Sequence, residues 1–262
     1  MYKIKYLLKF GKKVHIESFA NGNLYFSNAK KYWEIEDETK QRGQGDLLEG
    51  SFKIYAQSAE LTDYYNQNFS IEMGRCVTIL RHETASFMPI LCLFAVFENN
   101  CEYNLNSEHK ILLSEKTINT IKTHFPDADS VAIIHDPKQF INDIKTSLNC
   151  DIQSGLVNYF NIDEGYILKN GQRALDLRLF KYITQDTPPE EKNEGKQYTL
   201  IAPFEYRVLF CKDVFFKEQQ EYRIVLKDKK INESSIFNVQ FNQEIQVKSI
   251  DEFFNEMIVG SN

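Results

Sequence analysis

The chain has 262 residues, a net charge of −6, and 20 Phe and 14 Tyr against 11 Gly and 6 Pro. A chain of this length buries roughly 70–75% of its unfolded surface on folding, so a sizeable core is expected. The aromatic-rich composition argues against a disordered chain or a repeat solenoid. Acidic and basic residues are interleaved without a basic stripe, which argues against a duplex-binding surface.

The first ten residues carry Lys3, Lys5 and Lys9, which interrupt the apolar run that a signal peptide needs. The longest apolar stretch elsewhere, residues 87–97, is too short to span a bilayer as a helix. The five cysteines are widely spaced and contain no Cys-x-x-Cys pair, which favours free thiols in a reducing compartment. We therefore predict a cytoplasmic protein without a membrane segment or a metal site.

The N-terminal third predicts a strand, a helix and a second strand. Alternating apolar residues indicate a strand over residues 2–8. A short helix over residues 14–20 should end at Asn21-Gly22, and residues 23–27 predict the next strand. The polar, glycine-bearing residues 34–50 predict an exposed loop.

The middle of the chain predicts strands separated by two helices. Residues 76–80 and 89–97 are rich in strand-forming residues, and the second run is apolar on both faces, as in a central strand. A helix should begin after Ser114 and close before Pro126. A short buried strand over residues 131–134 then precedes a helix that starts at Asp136-Pro137.

The last third predicts hairpins and a terminal helix. Residues 156–160 and 166–168 should flank one turn, and Asn170-Gly171 should form another. Residues 187–196 predict a mobile surface loop. Further predicted elements are strands over residues 207–211, 221–226 and 235–241, and a helix over residues 249–258. We therefore predict an α+β fold, a mixed and mostly antiparallel central sheet with short helices on its faces, in one domain over residues 1–262.

The sequence Gln219-Gln220-Glu221-Tyr222-Arg223 is the strand richest in polar groups. Side chains alternate across a strand, so Glu221 and Arg223 share a face, together with Gln219 if the chain is already extended there. A carboxylate between an amide and a guanidinium suits a sugar hydroxyl or a developing cation. The alternative is a solvated strand face with a weak ion pair.

Residues 21–32 contain a turn, a strand and the tyrosines Tyr25 and Tyr32. Tyrosine offers a flat surface with a polar tip, which suits a nicotinamide or adenine ring. The alternative interpretation is an ordinary core strand.

Three glycines follow Arg42 in the run Arg42-Gly43-Gln44-Gly45-Asp46-Leu47-Leu48-Glu49-Gly50. Glycine permits a close backbone approach, and Arg42 is suited to a phosphate. No Gly-x-Gly-x-x-Gly or Walker pattern occurs, so a flexible loop is the alternative. The five histidines are scattered without ligand spacing, which gives no support to a metal site.

Taken together, these pieces resemble a group of bacterial proteins associated with abortive infection and phage defence. The shared pieces are Tyr6-Leu7-Leu8-Lys9-Phe10-Gly11, Gly22-x-Leu24-Tyr25-Phe26-Ser27, Gly45-Asp46-x-x-Glu49-Gly50, Phe215-Phe216 and Glu221-Tyr222-Arg223. They are spread over most of the chain, and each piece is short.

The order of the pieces is also similar to that of a diverged ADP-ribosyltransferase. In this resemblance Leu24 to Ser27 with Tyr32 match the second element of the family, and Gln219-x-Glu221 match the last. It implies that Glu221 holds the nicotinamide ribose and stabilises its oxocarbenium-like transition state.

The same resemblance implies that Gln219 orients the acceptor and that Lys9, Tyr25, Ser27 and Tyr32 bind NAD. Arg42 and Arg223 are added to the predicted NAD-binding residues because their guanidinium groups suit a phosphate or a polar ligand. Lys9 departs from the family, which has His or Arg on the opening strand. Because lysine lacks the planar fork of arginine, the NAD contact is altered, or another nucleotide binds, or catalysis is lost.

Three functions follow as expectations. The first is an NAD-using ADP-ribosyltransferase-like effector of a bacterial defence or toxin system, acting on an unknown macromolecular target. The second is a non-catalytic module that senses or sequesters a nucleotide or dinucleotide. The third is a nuclease or phosphodiesterase. A partner protein or a second copy of the chain is a further expectation.

Overall fold

The computed structural model describes residues 3–40, 42–43, 45–56, 59–62, 70–73, 76–103, 109–185, 190–192, 195–197, 202–256 and 258–260. Within these ranges the helices are α1 (Lys13–Ala20), α2 (Ala29–Thr39), α3 (Glu83–Ser86), α4 (Glu115–His124), α5 (Pro137–Leu148), α6 (Leu177–Ile183) and α7 (Ile250–Glu256). Short 3-10 segments cover Glu98–Asn100, Ala202–Phe210 and Val214–Gln219.

The strands of the described residues lie between these helices, singly or in runs. The first ten are β1 (Ile4–Gly11), β2 (Asn23–Phe26), β3 (Ser51–Ala56), β4 (Ala59–Thr62), β5 (Ser70–Met73), β6 (Cys76–Arg81), β7 (Ile90–Phe97), β8 (Cys101–Tyr103), β9 (His109–Ser114) and β10 (Ser130–Ile134). The others are β11 (Ile152–Leu156), β12 (Asn158–Phe160), β13 (Tyr166–Ile167), β14 (Arg173–Ala174), β15 (Glu190–Lys192), β16 (Gly195–Gln197), β17 (Cys211–Asp213), β18 (Glu221–Leu226), β19 (Ser235–Asn238), β20 (Gln246–Ser249) and β21 (Ile258–Gly260).

The chain divides into two compact units. Unit 1 comprises Met1–Leu47, Phe87–Val157 and Phe215–Asn262, and unit 2 comprises Leu48–Ser86 and Asn158–Val214. The grouping into one domain over the whole chain stays a prediction. No helix among the described residues is long and apolar enough to cross a membrane.

Unit 1 is built on a six-stranded antiparallel sheet in the order β11-β18-β7-β1-β10-β20. Side chains of α1 and α5 pack on one face, and side chains of α4 and α7 pack on the other. The predicted α+β class is confirmed, as is the mostly antiparallel sheet with short helices on its faces. Strand β7 is central and largely buried on both faces, as its apolar sequence predicted.

The local signals for helix ends are confirmed in unit 1. Helix α1 ends at Ala20 with Asn21 as its C-cap, and Gly22 follows with a φ of 89°, where an added Cβ would collide with the Val239 carbonyl oxygen. The Ser114 side chain caps α4, and Asp136 caps α5 by accepting backbone N–H bonds. These ends are set by residues close in sequence, which is why they could be predicted.

The prediction of an exposed loop over residues 34–50 is wrong. Helix α2 continues to Thr39, and the chain after it packs back against this helix. Gly45 is buried so close to α2 that a Cβ would collide with the backbone nitrogen of Glu36. The Asp46 N–H donates to the Tyr32 carbonyl at 3.1 Å, and Asp46 is buried as well. The glycine here provides a close approach between backbones rather than flexibility.

A smaller error concerns the alternation of the first strand. A register irregularity between Ile4 and Tyr6 in β1 sends these two side chains to opposite faces of the sheet. One inserted residue moves the side chains that precede it to the opposite face of the sheet, so a strict period of two fails across the irregularity.

Unit 2 contains small sheets whose pairing differs from the prediction in two places. Residues 207–211 lie mostly in the 3-10 segment Ala202–Phe210, and β17 starts only at Cys211. Strand β13 pairs with β14 across the predicted Asn170-Gly171 turn, whereas β12 pairs with β17 in parallel. A short local turn closes at a small entropic cost, so the nearer partner strand is the one that pairs with β13.

The loop predicted over residues 187–196 lies partly outside the described residues. Where the backbone is described, β15 and β16 form an antiparallel hairpin.

Candidate functional site

Glu221 and Arg223 form an ion pair inside unit 1. Arg223 Nε donates to Glu221 Oε1 at 2.5 Å, and the exposed fractions of the two residues are 0% and 5%. They share one face of β18, as the alternation predicted, and lie opposite Cys92 and Phe94 of β7. The alternative of a solvated strand face is therefore wrong. Removing two charges from water has a large cost, so a pair in this position needs excellent geometry and further polar neighbours.

Lys9 reaches the same region because β1 separates from β7. The pairing of β1 with β7 ends at Leu8, and Ser27 pairs instead with Ile90 nearer the start of β7. Between these two pairings, the Cys92 carbonyl accepts a hydrogen bond from Lys9 Nζ at 2.9 Å. The opening in the sheet thus admits a cationic side chain rather than another backbone partner.

Burial lowers the pKa of the Lys9 ammonium below its ordinary value, while Cys92 and Glu221 act to raise it. The Lys9 charge therefore interacts with the carboxylate of β18. Desolvation disfavours the charged form of a lysine, and a nearby carboxylate partly compensates.

Tyr32 of α2 completes the group. Its hydroxyl is hydrogen-bonded to Cys92 Sγ at 3.2 Å. Burial raises the pKa of Tyr32 well above its ordinary value, and Cys92 and Glu221 raise it further, while Arg223 lowers it. We name Lys9, Tyr32, Cys92, Glu221 and Arg223 the Glu221 cluster; its members come from four elements of unit 1.

The alignment of Gln219 with Glu221 and Arg223 was predicted only for a chain that is already extended at Gln219, and this condition is not met. Residues up to Gln219 form a 3-10 segment, and Gln220 has a φ of 42°, which interrupts the alternation. Gln219 Nε2 donates instead to the Gly43 carbonyl at 3.1 Å and to His124 Nδ1 at 3.0 Å. The Gln219 amide therefore serves a second group of side chains.

Arg42 belongs to this second group. Its guanidinium lies 4.8 Å from the ring centre of Phe215 and 5.1 Å from that of Phe216. Phe215 is half exposed, and its ring also lies near His124. A guanidinium over aromatic rings is held by cation–π attraction. Phosphate binding by Arg42 stays a prediction.

Tyr25 lies on β2, and Ser27 directly follows this strand. Tyr25 is 54% exposed and faces Ile236 across the pairing of β2 with β19. Ser27 is buried, and its hydroxyl lies 3.2 Å from that of Ser234. The described contacts of both residues are thus with β19, β7 and the Ser234 region. Their predicted roles in binding NAD stay predictions.

Two residues of this region were missed by the sequence interpretation. Cys92 lies within an apolar strand, where a thiol gives no polar signal of its own. The sequence predicts an extended strand through Gln220. The positive φ of this residue is uncommon for any residue other than glycine, so the residue type gives no sign of it.

No family model, curated protein or solved structure matches the chain. In the part of the chain that the structure describes, no group of three His, Cys, Asp or Glu side chains is arranged to hold a metal ion. The function is therefore inferred from the Glu221 cluster and its surroundings.

Proposed function

We propose that the chain transfers an ADP-ribosyl group from NAD to an acceptor at the Glu221 cluster, in a bacterial anti-phage defence or toxin system. The observation that supports this proposal best is that predicted site residues from separate parts of the chain lie together. Lys9, Tyr32 and the Glu221–Arg223 pair come from three separate parts of the sequence, were predicted as site residues, and lie around Cys92 of β7.

The chemistry of the cluster fits a dinucleotide. NAD has two phosphate charges, ribose hydroxyls and flat rings, and the cluster has two cations, a carboxylate and a tyrosine ring. Arginine and lysine suit phosphate oxygens, and a carboxylate accepts hydrogen bonds from hydroxyls. Gln220, which precedes Glu221 in the sequence, has a buried amide oxygen that lacks a hydrogen-bond partner among the described residues.

NAD supplies an activated ribose: the bond from C1′ to the nicotinamide nitrogen breaks, nicotinamide leaves with the bonding electrons, and the acceptor bonds to C1′ and releases a proton. The fixed carboxylate of Glu221 stabilises the positive charge that develops at the ribose. Arg223 orients this carboxylate through the 2.5 Å bond. Gln219, held at Gly43 and His124, orients the acceptor.

The test is nicotinamide release from labelled NAD by the full chain. Glu221→Gln keeps the size of the side chain and removes its charge, so we expect the rate to fall by about 100-fold or more. The control is Glu98→Gln, which removes an exposed carboxylate paired with Lys3 and should leave the rate within about twofold. An unchanged rate in Glu221→Gln, with the control also unchanged, refutes the assignment of Glu221.

A second candidate is a nucleotide-binding module without turnover. Its support is the burial of the Glu221–Arg223 pair, since a carboxylate already bonded to a guanidinium is less available to a ribose. NAD, ADP-ribose and cyclic nucleotides can be compared by thermal shift. A ligand at 100 times its Kd should stabilise the fold by about 2.7 kcal/mol. Stabilisation without nicotinamide release supports this candidate over the transferase.

A further inference from the structure

Gln220 adopts a backbone conformation that side chains rarely take. Its φ is 42°. Among the described residues other than glycine, only Lys40 and Asn149 also have a positive φ, and they are the C-caps of α2 and α5. The Gln220 N–H donates to the Lys217 carbonyl, and its carbonyl accepts from the Ala95 N–H at 2.9 Å. Both hydrogen bonds hold the left-handed conformation, which costs free energy for a residue with a Cβ.

The side chain of Gln220 is a second source of destabilisation. Its Oε1 is buried and lacks a hydrogen-bond partner among the described residues. Most buried acceptors in folded proteins are satisfied, and an unsatisfied one is destabilising. Strain and an unsatisfied acceptor in one residue are typical of a functional position, where binding of a ligand compensates for them.

The position of Gln220 directly before Glu221 indicates which kind of ligand group its amide oxygen binds. Gln220 directly precedes Glu221, whose charged carboxylate already suits the ribose hydroxyls of a dinucleotide. The neutral amide oxygen of the residue before it is suited to a neutral N–H group. In NAD such donors are the carboxamide of nicotinamide and the amino group of adenine.

We infer that Gln220 Oε1 accepts a hydrogen bond from an N–H group of the bound dinucleotide and so determines which dinucleotide the site accepts. This inference rests on the proposed function, because it concerns the same site. Gln220 is then a specificity residue, whereas Glu221 acts at the ribose.

The test compares three probes by calorimetry: NAD, its nicotinic acid analogue, and its hypoxanthine analogue. The nicotinic acid form replaces the carboxamide with a carboxylate, and the hypoxanthine form replaces the amino group with an oxygen. We expect the full chain to bind one of the two analogues at least about ten-fold more weakly than NAD, and the analogue that loses affinity identifies the donor.

The variant Gln220→Met keeps the length of the side chain and removes the acceptor. It should bind NAD about ten-fold more weakly than the unmodified chain and lose the discrimination against the analogue. Its ligand-free thermal midpoint should equal or exceed that of the unmodified chain, because the unsatisfied acceptor is gone. The control is Gln246→Met, since Gln246 lies on β20 and is hydrogen-bonded to His135; it should leave both affinity and discrimination unchanged.

The outcomes separate the two claims. NAD binding with the same discrimination in Gln220→Met and in the unmodified chain overturns the role of Gln220 and leaves the proposed function intact. Absence of NAD binding to the unmodified chain overturns the proposed function together with this inference. If Gln220→Met is unfolded, Gln220→Asn replaces it, since asparagine tolerates this φ and its shorter amide should still weaken NAD binding.

Discussion

Strands β18 and β2 both border β7, yet their polar side chains lie in contrasting surroundings. Glu221 and Arg223 of β18 are enclosed and interact with Lys9 and Tyr32, which come from distant parts of the chain. On the other strand, Tyr25 is mostly exposed.

The difference separates polar groups that folding buries at a cost in free energy from polar groups that stay in contact with water. Burying a charge pair away from water costs desolvation free energy, whereas a residue at the surface keeps its hydration. An exposed tyrosine at a strand pairing needs no such explanation. The site that we propose therefore lies at β18 and its neighbours, and the following predictions test that proposal.

The largest expected effect is the loss of Arg223. Arg223→Met leaves the Glu221 carboxylate buried without its partner, which should lower the free energy of unfolding by about 3–5 kcal/mol. Urea denaturation measures this value. On the β2 side, Ser27→Ala removes one hydroxyl contact and should cost about 1 kcal/mol.

A double variant separates charge from packing. Glu221→Gln combined with Arg223→Met removes both charges and should recover a large part of the loss. A loss in Arg223→Met no greater than that in Ser27→Ala would contradict the contrast between the two strands.

A smaller effect is expected at Gly45, which packs the chain carrying Arg42 against α2. Gly45→Ala places a methyl group against the backbone of Glu36 and should lower the free energy of unfolding by about 1–3 kcal/mol. The matched change Gly11→Ala meets only the end of the Ile16 side chain at 3.3 Å, which can move, so its cost should be smaller. Equal costs in the two variants would show that the close packing of Gly45 on α2 is wrong.

The smallest effect concerns pH and Tyr32. Burial raises the pKa of Tyr32 above its unfolded value of 10.0, so the folded state binds the proton more tightly. The corresponding stability is present below pH 10 and is lost as the pH rises toward the folded pKa. From pH 10 upward the unmodified chain should therefore lose more stability than Tyr32→Phe, by at most about 1.4 kcal/mol per pH unit.

Denaturation curves between pH 9 and 11 measure this difference. Lys9 titrates in both proteins, so the comparison isolates Tyr32. The matched change on β2 is Tyr25→Phe, which removes a hydroxyl from an exposed ring. If Tyr25→Phe alters the alkaline stability as much as Tyr32→Phe does, the enclosure of Tyr32 is refuted.

Much of the fold could be predicted because its signals are local. The apolar run of β7 predicted a central strand, and Ser114 and Asp136 predicted helix starts, since each signal lies within a few residues of its effect. The alternation in β18 likewise predicted that Glu221 and Arg223 share a face.

Other features depend on partners far along the chain. The burial of Gly45 depends on α2, and the position of Gln219 depends on the turn at Gln220. The contact of Lys9 with Cys92 requires the opening between β1 and β7, which arises from the pairing of Ser27 with Ile90. A single sequence contains no pattern that indicates these pairings, so this part of the site emerged only from the folded arrangement.

The most direct test of the central claim is a crystal structure of the full chain with NAD. The Glu221 cluster as the functional centre predicts ligand density in contact with Tyr32, Gln220 and Glu221. Density beside Tyr25 instead, or a ligand bound elsewhere on the chain with the Glu221 cluster uncontacted, would contradict it.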